Sequence, residues 1–212
     1  MAIKLHIPEN DPRMQPLLGE VKRVATEAAR KLAPHLPKGN IDVVIYANPE
    51  GTIRELGIGG YTPVENTVFV SLDLGHKHLK KNLKKELTYT LAHELHHAVR
   101  FRTPIAKETL LEAMISEGLA DHFAMRLTGS RQSPAWCRAL TEAEQNSHLK
   151  KAKRLWNEET YNRGLWFYGT DPKKVKRWAA YTLGYDLVAM YIKKHREFDV
   201  TKDFAVDASL FA

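Results

Sequence analysis

A chain of 212 residues is the length of one ordinary domain, and a 43% hydrophobic share is ample for a core of that size. One cysteine, Cys137, excludes an internal disulfide framework, and no apolar run is long enough for a signal peptide or a membrane span, so a cytoplasmic protein is expected. The formal charge of +7 comes from lysine-rich clusters at 80–85, 150–154, 173–177 and 193–196; scattered over helical faces without a basic-aromatic motif, they argue for solubility and against a nucleic-acid partner.

In chain order, Ile3, Leu5 and Ile7 alternate as a short strand that Pro8 and Pro12 interrupt. Leu17, Leu18, Val21, Val24, Ala28 and Leu32 recur at helical spacing, which predicts a packing helix over 16–33 that ends before Pro34. Ile41 to Ala47 is apolar and β-branched, a second strand. Gly57, Gly59 and Gly60 lack the strand-to-helix context of a phosphate loop, so 51–61 is expected to form turns. Thr67 to Leu72 alternates and should be a further strand. Helices are expected over 79–102, 105–128 and 173–195, with a turn at Thr103-Pro104 and a charged, solvated helical pair over 134–159. Trp156, Trp166, Phe167 and Tyr168 are expected in the core or lining a cleft, and Cys137 as a bystander.

The helix expected over 79–102 carries the chemistry. His93-Glu94-Leu95-His96-His97 matches H-E-x-x-H, and residues four apart on a helix lie one above the other. His93 and His97 can therefore aim two imidazoles at one metal ion, with Glu94 beside it to take a proton from activated water. Leu79, Leu83, Leu87, Leu91, Leu95 and Val99 form a buried stripe on the same helix, with Ala92, Ala98 and Phe101 near the histidines on the other side. His96 is an alternative second ligand, disfavoured by its three-residue spacing from His93.

A catalytic zinc ion needs a third protein ligand. The longer pattern with a third His is excluded, because Arg100 and Thr103 hold its Gly and His positions. Glu117, twenty positions after His97, and Asp121, one turn further, share a face with Leu110, Ala113, Met114 and Ala124. Carboxylates on an apolar face need partners. Glu117 as metal ligand and Asp121 as acceptor from a ligand imidazole would supply them, and pairing with Arg or Lys is the other reading.

H-E-L-H-H followed by E-G-L-A-D resembles the gluzincin metallopeptidases. Leu91-Ala-His-Glu-Leu-His-His-Ala-Val-Arg100, Ile115-Ser-Glu-Gly-Leu-Ala-Asp-His-Phe-Ala124 and Trp178-Ala-Ala-Tyr-Thr-Leu-Gly-Tyr185 together resemble a bacterial family of predicted zinc-dependent proteases, from about residue 40 to the C-terminus. The resemblance implies an oxyanion donor downstream, Tyr181 or, one turn later, Tyr185; either can instead be a packed tyrosine. It also implies substrate alignment by an edge strand before the metal helix, a role for 67–72 or for 57–61.

The expectation is thus one α+β domain over 1–212, mostly helical, with a small N-terminal sheet packed on a pair of active-site helices and a helical C-terminal part. One Zn²⁺ would be held by His93, His97 and Glu117, and the substrate would be a peptide or protein. A zinc-binding interaction protein with little turnover is the alternative from a different class.

Overall fold

The alternating apolar segments pair side by side. In the computed structural model, which describes residues 2–103 and 108–212, β1 (Ala2–His6), β2 (Asn40–Ala47), β3 (Ile58–Val64) and β4 (Thr67–Leu72) form one sheet in the order β1-β2-β4-β3. β1 and β4 both run parallel to β2, with Ile3 opposite Ile41 and Ile45 opposite Val70, while β3 runs antiparallel to β4. The parallel β1/β2 pair needs a crossover, and α1 (Leu18–Leu32) provides it. Its stripe Val21, Val24, Ala25, Ala28 and Leu32 is buried, and the α-helix ends before Pro34, in a short 3₁₀ turn.

α2 (Lys77–Arg100) is the element on which this part of the chain packs. Asn82 leaves helical geometry at φ −121°, ψ 16°, and its side-chain amide donates to the His78 carbonyl at 2.9 Å. That local bond competes with the helical ladder and accounts for the kink. Beyond it, Leu83, Leu87, Leu91, Leu95 and Val99 are all buried, each stabilising the fold by about 1.5–3 kcal/mol. From Leu91 to Arg100 every residue is buried, so the helix has no solvent face there.

By packing, the described residues fall into two units, 2–103 with 126–129, and 108–125 with 130–212. The second is helical and contains most of α3 (Leu110–Thr128), with α4 (Glu142–Lys153) and α5 (Ala179–Lys194). α3 and α5 touch backbone to backbone at a pair of glycines: a methyl on Gly184 would collide with the Met114 carbonyl, and one on Gly118 with the Gly184 carbonyl. A capping box at Thr141 and Glu144 starts α4. After α5 the chain packs its aromatics back, Phe204 on Phe123 and Phe211 on Tyr191.

The fold is α+β and mostly helical, as expected. Four details differ. Residues 58–64 are strand rather than turn, because Gly59 and Gly60 lie where neighbouring chain leaves no room for side chains. β4 is an inner strand, so the edge strand beside α2 is β3. The segment 134–159, expected as a solvated helical pair, is a 3₁₀ turn at Ala135–Arg138 followed by α4. α5 begins six residues late, because Trp178 takes a left-handed φ of 67°. The expected turn at Pro104 and helix start at Ile105 lie outside the described residues. Among the described residues, no helix is long and apolar enough to cross a membrane.

Candidate metal centre

The four-residue spacing does what helical geometry dictates. His93 and His97 stand on one face of α2 with their Nε2 atoms 3.1 Å apart and their rings nearly perpendicular at 73°. Two nitrogens bound to one tetrahedral zinc at 2.0–2.1 Å would be about 3.3 Å apart, so the pair suits a shared ion. His97 also stacks on Phe101, with centroids 6.3 Å apart. His96 is fully buried and meets His97 edge-on.

Glu94 lies between the two imidazoles in sequence and reaches β3. Its Oε2 accepts a hydrogen bond from the Thr62 hydroxyl at 2.7 Å, and that hydroxyl is also 3.1 Å from the Glu94 carbonyl oxygen. Its Oε1 lies over Gly60, where a methyl group would collide with it. Thr62 did not stand out in the sequence, and Gly60 did so only as a turn glycine, since their meaning depends on the register of β3 against α2.

On α3, Glu117 is buried, and its Oε1 accepts from Arg163 Nη2 at 3.1 Å. Pairing with a cation, the other reading open to Glu117, is thus present at one oxygen. Arg163 spans further: Nη1 reaches Glu108 at 3.3 Å, and the guanidinium lies 4.6 Å over the Phe167 ring. Partial burial disfavours the Arg163 charge, but Glu117 and Tyr161 outweigh that and raise its pKa.

Asp121, one turn on, is fully buried. Its Oδ2 accepts from Trp136 Nε1 at 2.9 Å and from the Cys137 thiol at 3.1 Å. Burial first, and then the Asp121 carboxylate, push the Cys137 thiol far up, so it remains a donor and not a nucleophile. Cys137 is therefore no bystander. The turn that presents Trp136 and Cys137 was hidden inside a segment whose charge reads as a solvated helical pair.

The two tyrosines of α5 are differently engaged. Tyr181 packs edge-on against Phe167, 5.0 Å between centroids. Burial, followed by the charge of Glu117, raises its hydroxyl well above the ordinary phenol range, so it is a donor at neutral pH. No hydrogen bond engages that hydroxyl among the described residues. Tyr185 stacks on His122 at 4.1 Å, and its hydroxyl points to the Met125 sulfur at 3.3 Å. His122 Nε2 donates to the Tyr185 carbonyl oxygen, 3.0 Å away, and burial lowers its pKa. Of the other expected cleft or core aromatics, Trp166 and Phe167 are buried and Tyr168 is exposed.

His93, His97 and Glu117 are all buried, and among the described residues they are the group that could hold a metal ion. Two imidazoles and a carboxylate are the donor set of a three-ligand zinc centre that leaves a coordination position open. Such a donor set, with the Glu94 carboxylate next in sequence to the first imidazole, is what a metal centre built on a helix requires. The comparison with protein families agrees: residues 21–212 match the family described as predicted Zn-dependent protease (DUF2268), and the chain belongs to that family. No curated protein and no solved structure matches it.

Proposed function

We propose that the chain is a zinc-dependent peptidase of gluzincin type, with one Zn²⁺ held by His93, His97 and Glu117. The observation that carries the reading is the buried His/His/Glu cluster with Glu94 alongside, in a family whose description names zinc and proteolysis. Bound there, zinc supplies Lewis-acid activation of water and of the scissile carbonyl.

The protein's own groups do the rest. Glu94 Oε1, the carboxylate oxygen not engaged by Thr62, takes the proton from the attacking water and returns it to the departing amine nitrogen. The Tyr181 hydroxyl, protonated and without a competing hydrogen bond, donates to the oxygen that gains negative charge; Tyr185 is committed to its own neighbours. Asp121 accepts from a ligand imidazole and fixes its tautomer. Substrate is an extended peptide or protein segment aligned by the edge strand β3, and the work is done in the cytoplasm.

The test is cleavage of a diverse peptide library by zinc-loaded protein, with Glu94→Gln and Glu117→Ala alongside. Glu94→Gln should keep zinc and fold but lose about 10²–10⁴-fold in turnover. Glu117→Ala should bind zinc weakly or not at all. Full activity in Glu94→Gln refutes the base assignment, and unchanged zinc content in Glu117→Ala refutes the third ligand. Zinc binding without cleavage by the wild type would favour a zinc-dependent interaction protein.

A further inference from the structure

We propose that Thr62 is the positioning residue for Glu94, and that β3 with its side-chain-free Gly60 is the device that presents the catalytic carboxylate. This rests on the metallopeptidase reading of the same site.

Gly60 and Thr62 both face Glu94, since a methyl on Gly60 would meet its carboxylate and the Thr62 hydroxyl bonds to it. The ladder to β4 holds that strand at Gly60 opposite Val70 and Tyr61 opposite Phe69, then shifts register before Val64. A register shift of this kind re-aims side chains, and it falls between Tyr61 and Val64, the stretch that contains Thr62. The buried Thr62 hydroxyl donates to Glu94 Oε2 at 2.7 Å and lies 3.1 Å from the Glu94 carbonyl oxygen. Its one proton is therefore spent on Glu94 and on nothing else among the described residues.

Gly60 completes the arrangement from the other oxygen. Any side chain at 60 would displace Glu94 Oε1, so the strand backbone can run beside the carboxylate without capping it. Glutamate has three side-chain torsions, and a hydrogen bond to its charged form outweighs the entropy of holding one rotamer. The two oxygens are thereby made inequivalent: Oε2 is tethered and Oε1 is left for proton transfer. A Thr that merely satisfied its own hydroxyl would need no glycine opposite the second oxygen.

The experiment compares full-length zinc-loaded wild type with Thr62→Val, which keeps shape and loses the donor, and Thr62→Ser, which keeps the donor. Two readouts are taken: kcat and KM on a cleaved peptide, and the affinity for acetohydroxamate by calorimetry. Bound acetohydroxamate passes its acidic proton to the neighbouring carboxylate, so it reports the position of Glu94 whether or not any peptide is cut. Thr62→Val should lower kcat by about 10–100-fold with KM changed less than about twofold, and weaken acetohydroxamate by about tenfold. Zinc content should be unchanged, and Thr62→Ser should restore both readouts. Equal acetohydroxamate affinity in wild type and Thr62→Val overturns the proposal. If the wild type cleaves nothing, the peptidase reading fails, and the acetohydroxamate comparison still decides the role of Thr62. Should Thr62→Val fail to fold, Gly60→Ala makes the same test by displacing Oε1 with the hydroxyl intact; unchanged acetohydroxamate affinity there is equally fatal.

Discussion

Gly184→Ala tests the backbone contact between α3 and α5. The added methyl would meet the Met114 carbonyl, which cannot rotate away as a side chain could. Overpacking costs about 1–3 kcal/mol, and a backbone obstacle places this case at the upper end. Alanine recovers about 1 kcal/mol through helix propensity, leaving a net loss of about 2 kcal/mol. For a chain of this size that corresponds to about 4–8 °C in melting temperature. Gly19→Ala is the matched control, because Gly19 sits exposed on α1 with nothing within 4 Å of the new methyl. It should melt at or above wild type, by up to about 1 kcal/mol. Scanning calorimetry of the three proteins at one zinc concentration reads both effects. If Gly184→Ala is as stable as Gly19→Ala, the glycine contact does not set the distance between the helices, and the placement of Tyr181 relative to Glu117 needs another explanation.

Two further variants probe charge. Asp186 is half-buried, and loss of solvation raises its pKa to about 6. A carboxyl raised above its unfolded value contributes stability at low pH and loses it as pH rises through about 6. Asp186→Asn should therefore stabilise the protein by about 1 kcal/mol at pH 8, a figure already reduced for the group's partial exposure, and should give no gain at pH 4; a gain independent of pH would refute the assignment. Arg163→Met removes the guanidinium from Glu117 and should cost about 1–3 kcal/mol without metal. Added zinc should recover more stability in that variant than in wild type, and an equal increment in thermal melts would argue against Glu117 as a ligand.

What the sequence disclosed depended on whether meaning was carried along one element or across two. The His93–His97 spacing, the leucine stripe of α2 and the alternation in β2 and β4 are properties of single elements, and periodicity reveals them. β3 was opaque because Gly59 and Gly60 have no side chains to carry a pattern; their reason lies in the Gly51 carbonyl and in Glu94. Thr62, Arg163 and the pair Trp136 and Cys137 acquire roles only through partners 32, 46, 15 and 16 residues distant. The late start of α5 follows from one left-handed residue, Trp178, in a stretch whose composition reads as helix.

The enclosure of α2 from Leu91 to Arg100 has a consequence for how the centre comes into being. Its amides belong with those that exchange only on global unfolding, because local opening would expose ten buried residues at once. His93 and His97 therefore cannot drift apart through fraying or a transient melt. Their spacing is set when the chain folds and persists for the lifetime of the folded molecule. A metal ion held there would accordingly have to arrive and depart past intact secondary structure, with side-chain rotation as the available motion.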